Sequence, residues 1–175
     1  MSVALIEEVA PLGSVIDAGG GSSRLAERLL DRGHEGLAVL DVSAAALERA
    51  KARLGERAGR VRWIVGDVTR VEDVGTYDVW HDRAVFHFLT EASDRARYVA
   101  LLRRALAPGG HAVIATFAPD GPEQCSGLAV VRYDGPGLAR ELGDGFTLLR
   151  TVEETHRTPW GKPQAFQYSV FRRDG

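Results

Sequence analysis

The sequence has a single cysteine, Cys125, and that scarcity removes two classes of protein at once. One thiol closes no internal disulfide, so the chain is not a stapled secreted scaffold, and it supplies no paired-cysteine zinc clamp. Its five histidines include no H-x-x-x-H pair of the kind that binds metal from one helix face, so no metal site is expected. An excess of positive charge is missing too: 22 Lys and Arg stand against 24 Asp and Glu, a formal net charge of −2. The basic footprint of a nucleic-acid binder is therefore absent. No apolar run approaches the ~20 residues that span a bilayer. The first residues, Met1-Ser2-Val3-Ala4, lack the basic segment and apolar core of a secretory signal. These absences leave the expectation of a soluble, cytoplasmic, globular protein that contacts neither nucleic acid nor membrane.

What the chain does have is 175 residues, 45% of them hydrophobic. That length suits one domain, which buries roughly 70% of its unfolded surface. No repeat, low-complexity tract or linker divides it, so a single domain over residues 1–175 is expected. Short apolar runs alternate with helix-like stretches, the pattern of an α/β fold on a mostly parallel sheet. Residues 14–17 read as the first strand and end in Gly19-Gly20-Gly21. A helix capped by Ser22 or Ser23 follows, with Leu25, Leu29 and Leu30 on one face and Gly33 as its stop. Residues 36–41 are a second strand, and Ser43 caps an Ala-rich helix carrying Leu47, Ala50 and Leu54. Residues 61–65 and 77–80 are the third and fourth strands, with a short helical turn between them. Residues 93–107 form a longer helix with Tyr98, Val99, Leu102 and Leu106 as its stripe, and residues 111–117 the fifth strand. A loop over 118–134, a short helix over 137–142 and strands over 146–156 and 165–172 complete the chain.

The most informative local feature is Asp17-Ala18-Gly19-Gly20-Gly21, where a strand runs straight into a helix. Glycines there allow a tight turn and close backbone approach to a ligand, and the helix start adds unpaired N–H groups. A plain strand-to-helix turn would also use them, and so would a dinucleotide site. The dinucleotide fingerprint, however, needs G-x-G-x-x-G, and counting from Gly19 its last position is Arg24, too bulky for the close helix–strand contact. The pattern acid-x-Gly-x-Gly is met in full by Asp17, Gly19 and Gly21. Two further acids close the next strands: Asp41 the second, where a carboxylate accepts both ribose hydroxyls, and Asp67 the third, in Val65-Gly66-Asp67-Val68. Each alone reads equally well as a cap. Three at successive strand ends share one rim of the sheet and point to a nucleoside site.

In order and spacing, Asp17-Ala18-Gly19-Gly20-Gly21, Leu40-Asp41-Val42-Ser43, Gly66-Asp67-Val68, Tyr77-Asp78-Val79-Trp80 and Leu106-Ala107-Pro108-Gly109-Gly110 resemble the successive motifs of class I S-adenosylmethionine-dependent methyltransferases. The resemblance extends over residues 14–172. It implies a doubly wound, Rossmann-like α/β sheet, mostly parallel with an antiparallel last strand, in the order 3-2-1-4-5-7-6. It also implies S-adenosyl-L-methionine as cofactor. Asp17, Gly19, Gly20 and Gly21 would hold its methionine moiety, Asp41 with the adjoining Val42 the ribose, and Asp67 with Val68 the adenine.

By the same likeness the methyl group emerges at the end of the fourth strand, in Trp80-His81-Asp82-Arg83. His81, Asp82 and Arg83 are thus the candidates for substrate contact or proton handling; a loop packed through a local Asp–Arg pair is the other reading. His87 is placed toward the core. The segment resembles the Asp-Arg and Asp-Lys types of some small-molecule and lysine methyltransferases, not the Asn-Pro-Pro-aromatic motif of DNA and glutamine enzymes. Residues 116–128, long and polar for a connector, are expected at this rim. So is the turn carrying His156, Arg157 and Trp160. Cys125 reads mainly as a small buried hydrophobe. The expected reaction is in-line displacement onto a heteroatom of a small-molecule acceptor, in which alignment alone contributes up to ~10 kcal/mol. A protein-lysine methyltransferase and a cofactor-binding module without turnover remain open.

Only residues 1–13 precede the glycine strand, enough for one short helix with Leu5, Ile6 and Val9. A nearly bare core with an open cofactor cleft is expected, or a cleft closed by a second subunit in a homodimer.

Overall fold

Apolar runs without polar alternation, such as Val15-Ile16 and Leu37-Ala38-Val39-Leu40, belong to strands covered on both faces. The computed structural model describes residues 1–157, 161 and 163–175, with Arg157 described in its backbone alone. It places those runs at the centre of a seven-stranded sheet. The chain runs α1 (Ser2–Val9), β1 (Val15–Ala18), α2 (Leu25–Asp31), β2 (Leu37–Asp41), α3 (Ala44–Leu54), β3 (Val61–Val65) and β4 (Tyr77–Arg83). It continues through α4 (Ala92–Ala105), β5 (Leu106–Phe117), the small strands β6 (Gln124–Cys125) and β7 (Leu128–Ala129), α5 (Gly135–Leu142), β8 (Phe146–Arg157) and β9 (Pro163–Arg173). Strand order is β3-β2-β1-β4-β5-β9-β8. The first five are parallel, and β9 runs antiparallel between β5 and β8. Setting aside the β6–β7 hairpin inside the 118–134 loop, this is the expected order with its reversed last strand.

Period-two alternation splits the core into two layers. Ile16, Leu40, Trp80 and Ile114 face α4 and α5, packing with Tyr98, Leu102 and Leu138. Val15, Val39, Val79 and Val113 face α1, α2 and α3, packing with Ile6, Leu29 and Leu47. The caps follow local chemistry: the Ser43 hydroxyl accepts from Ala46 N–H at 3.2 Å and starts α3, and Asp134 starts α5 through Gly137 N–H at 2.6 Å. The hydroxyl of Ser23 accepts from Leu25 N–H at 2.9 Å at the start of α2. Among the described residues no helix is long and apolar enough to cross a membrane.

Two differences from the expected elements bear on the site. β4 does not stop at Trp80 but continues through His81 and Asp82 to Arg83, paired with β1 on one side and β5 on the other. The polar residues prolong the strand because each of the first two has a buried partner. β5 starts early, at Leu106, with a register irregularity between Tyr77 and Val79 and Gly109 at φ 78°. Pro108-Gly109-Gly110 is therefore an irregular stretch within the strand.

Candidate active site

The glycine run leaves β1 at its carboxyl end, and each glycine is required for a different reason. Gly19 sits at φ 73°, and a Cβ on it would lie 2.1 Å from Val85 Cγ2 of the segment after β4. A Cβ on Gly20 would lie 2.2 Å from Asp17 Oδ2, and one on Gly21 2.8 Å from Asp41 Oδ2. The run is thus folded against both acids with no room for side chains. Asp41 Oδ2 accepts from Gly21 N–H at 3.0 Å and its Oδ1 from Ser43 N–H at 2.7 Å. The acid at the end of β2 therefore fixes the glycine turn while one flank of its carboxylate stays half-buried.

Asp67 is built differently. Its Oδ1 accepts from the N–H and hydroxyl of Thr69, at 2.8 and 2.7 Å. These bonds, aided by Arg70, hold its carboxyl below the usual range. Val68 is buried beside it, whereas Val42 is 74% exposed. The Asp41–Val42 side of the site is accordingly open to solvent.

The Asp17 end of the site has walls on several sides. A cleft of about 630 Å³ is lined by Asp17, Gly19, Gly20, His81 and Arg83, by the start of α2 with Arg24 and Arg28, and by Met1, Ser2 and Val3 of the N-terminal segment. Glu154 and His156 of β8 and Tyr168 of β9 close its far wall. Within it, His81 Nδ1 lies 2.7 Å from Asp17 Oδ1, with the two residues 2% and 4% exposed. The other atom of each group, Asp17 Oδ2 and His81 Nε2, is buried without a hydrogen-bond partner. Four other buried atoms among the described residues also lack a hydrogen-bond partner, on Glu27, His34, His87 and Tyr133, but none of those residues lines the cleft.

The three candidates on β4 separate cleanly. Asp82, although next to His81 in sequence, turns into the opposite layer and does not line the cleft. Its carboxylate accepts from Val85 and Phe86 N–H at 2.8 and 3.0 Å and from the Tyr98 hydroxyl at 2.7 Å. Complete burial pushes its carboxyl up to about 6 against the opposing pull of those donors. It is a buried anchor for the turn after β4, where Ala84 is held at φ 72°. That backbone region is costly for a residue with a side chain and persists only where its surroundings over-determine it. Asp82 makes no pair with Arg83. Arg83 is exposed in the cleft, its guanidinium 5.0 Å above the Phe166 ring. His87 is fully buried, and desolvation pushes it down to about 4, so it is neutral.

Residues 118–134 leave the same rim but do not line the cleft. They are drawn over the turn after β4, with Val131 N–H on His87 C=O at 2.8 Å and Tyr133 N–H on Phe117 C=O at 3.1 Å. Cys125 is half-buried within their hairpin and packs on the core. His156 does reach the cleft, while Trp160 lies outside the described residues, as does the Arg157 side chain. Sequence reasoning missed Tyr168, Glu154 and Arg28. The alternation Phe166-Tyr168-Val170 was a usable signal, because it sets Tyr168 on the α1–α2 face of an otherwise apolar strand. The Tyr168 hydroxyl donates to Glu154 Oε2 at 3.1 Å across the β8–β9 pair.

Comparison with known proteins identifies the family and the fold. The family model described as a methyltransferase domain matches residues 15–110. The nodulation protein S of Rhizobium tropici is 28% identical over 103 residues, covering 59% of this chain and 42% of that protein. The 2-heptyl-1-hydroxyquinolin-4(1H)-one methyltransferase of Mycobacteroides abscessus is 32% identical over 131 residues, 70% of this chain and 57% of that protein. The chain thus spans about half the length of these curated relatives. The 1,6-didemethyltoxoflavin N1-methyltransferase of Burkholderia thailandensis, solved with 1,6-didemethyltoxoflavin and S-adenosylhomocysteine, shares the fold at a TM-score of 0.76 and 22% identity, covering 99% of this chain and 76% of that one.

Proposed function

We infer, since the chain belongs to the methyltransferase-domain family, that it transfers a methyl group from S-adenosylmethionine to a heteroatom of a small-molecule acceptor. The observation that carries this reading is the unpaired, buried Asp17 Oδ2 beside a glycine turn that admits no side chain. A carboxylate oxygen accepts only, so its missing partner is a donor, and an amino-acid ammonium group is a donor of the right kind. Asp17 with Gly19, Gly20 and Gly21 would then hold the methionine moiety. Asp41 and Val42 would hold the ribose, and Asp67 and Val68 the adenine. When bound, the cofactor supplies a methyl group on a positively charged sulfur that leaves as a neutral thioether.

The chain's own contribution is to bind and align. Arg83, projecting into the cleft without a carboxylate partner among the described residues, would contact the acceptor. His81 stands where protons can be handled. Asp82 serves by holding the turn that carries Val85 against Gly19. The relatives support a small acceptor: one is named for a hydroxyquinolinone, and the toxoflavin enzyme holds its small substrate.

Calorimetry with S-adenosylhomocysteine tests the reading. Micromolar binding is expected, weakened at least about tenfold by Asp41→Ala, which removes a ribose acceptor and releases Gly21 and Ser43. Absence of binding to the intact chain refutes it. Labelled cofactor added to a cell lysate should then mark metabolites; label on protein would replace the small acceptor with lysine side chains.

A further inference from the structure

We propose that His81 is the general base of the transfer, oriented by Asp17, and that the acceptor atom arrives carrying a proton, as a hydroxyl oxygen or a protonated amine nitrogen. The proposal rests on the methyl-transfer reading and extends it to the acceptor's chemistry.

The tautomer follows from the pair itself. A carboxylate accepts and cannot donate, so with Asp17 in that form the 2.7 Å contact places a proton on His81 Nδ1. In the neutral ring Nε2 then keeps its lone pair, and it is the ring nitrogen without a partner. The other two buried histidines with an unpartnered Nε2, His34 and His87, differ on both counts that matter: neither lines the cleft, and neither bonds a carboxylate. His81 and Asp17 are also direct register partners of neighbouring parallel strands, so the dyad is set by the sheet, not by a loop. An imidazole held on one nitrogen by a carboxylate, with the other nitrogen free, is the arrangement that accepts a proton and stabilises the resulting cation.

The step balances without an added reactant. The acceptor's X–H bond breaks and its proton goes to Nε2; the electron pair on X forms the bond to the methyl carbon; the pair from the broken carbon–sulfur bond stays on sulfur. The ring gains the positive charge that the sulfur loses. Asp17 consequently has two tasks, Oδ1 toward the imidazole and Oδ2 toward the cofactor's ammonium group. Other titratable groups share this space. Arg83 follows His81 on the same face of β4, with Asp82 between them turned to the other layer. Arg24 and Arg28 of α2, Glu154 and His156 of β8, Tyr168 of β9 and the amino group of Met1 line the remaining walls. A pH effect must therefore be traced to His81 by its own resonance.

Nitrogen-15 NMR of the full, unmutated chain reads the tautomer directly, with no acceptor needed. The Nδ1–H form is expected for His81, and conversion to the Nε2–H form in Asp17→Asn. His81→Gln should keep S-adenosylhomocysteine affinity within about threefold. With labelled S-adenosylmethionine and a set of phenols, N-hydroxy heteroaromatics and amines of graded acidity, its kcat should fall about 100-fold or more with little change in KM. The loss should shrink as the acceptor becomes more acidic. An Nε2–H tautomer in the unmutated chain overturns the proposal. So does an unchanged rate in His81→Gln, or a wild type that binds S-adenosylhomocysteine yet methylates no member of the set. Failure of the wild type to bind S-adenosylhomocysteine at all defeats the methyl-transfer reading instead, and the two results are distinguishable.

Discussion

Replacing Tyr98 by phenylalanine removes one oxygen atom from the centre of the α4-facing layer and tests how the turn after β4 is held. The hydroxyl donates to Asp82 Oδ2 at 2.7 Å and accepts from Trp80 Nε1 at 2.8 Å, and all three residues are fully buried. The ring itself stays, so its edge contacts with Trp80 and Phe86, at 5.5 and 4.9 Å between centroids, survive and no sizeable cavity forms. The loss has two parts. A hydrogen bond to an ionised carboxylate contributes about 1.5–3 kcal/mol, and stranding the Trp80 N–H in an apolar layer costs about 1–3 kcal/mol. Together they predict a destabilisation of about 2.5–6 kcal/mol near neutral pH, a large share of the ~5–15 kcal/mol typical of a domain. The pH dependence gives the reasoning a sign. Burial raises Asp82 to about 6 from 3.8, so its favourable contribution is complete below the unfolded value and is lost as pH rises through 6. Over that window the loss is about 3 kcal/mol. The Tyr98 hydroxyl eases this by favouring the ionised form. Removing it should therefore hurt more at about pH 7.5 than at about pH 5, where Asp82 is largely protonated. Urea unfolding followed by tryptophan fluorescence at both pH values measures the difference. A loss below about 1 kcal/mol at the higher pH, or equal losses at both, refutes the account.

Gly20→Ala should abolish S-adenosylhomocysteine binding by calorimetry, because the new Cβ would lie 2.2 Å from Asp17 Oδ2 and 2.5 Å from its Cγ, forcing the carboxylate out of place. The same shift should release the His81 ring, visible as a change of its NMR resonance. Arg83→Ala should leave S-adenosylhomocysteine affinity nearly intact and raise acceptor KM about tenfold. It should lower stability by only about 0.5–1 kcal/mol, the value of its exposed cation–π contact with Phe166.

The architecture and the placement of the acids at the strand ends were legible because both rest on local signals. Apolar runs of strand length separated by capped helices leave few arrangements, and Ser43 and Gly19 occupy positions where backbone geometry favours those residue types. The walls of the cleft were not legible. Tyr168, Glu154 and Arg28 are brought together from β9, β8 and α2 by the sheet order, and no spacing along the chain connects them. Residues 116–128 suit a binding segment by polarity and glycine content, and they fold there as the small β6–β7 hairpin, whose pairing no local spacing announced.

His81, Asp82 and Arg83 show how one strand boundary changes a functional reading. Ending β4 at Trp80 makes the next three residues a loop, in which all three are free to face a substrate. Extending the strand to Arg83 imposes period two: His81 and Arg83 join Val79 on the α1–α2 face, while Asp82 joins Trp80 on the face toward α4. The polar character that argued for a loop is satisfied within the sheet, His81 by Asp17 and Asp82 by Tyr98 and two backbone N–H groups. The tripeptide therefore divides its labour by side. One face supplies the chemistry, a base and a cation in the cleft. The other supplies the anchor that keeps Ala84 in its strained conformation and Val85 against Gly19. Disturbing the anchor should reach the cleft through backbone position, whereas disturbing the exposed Arg83 should leave the fold standing.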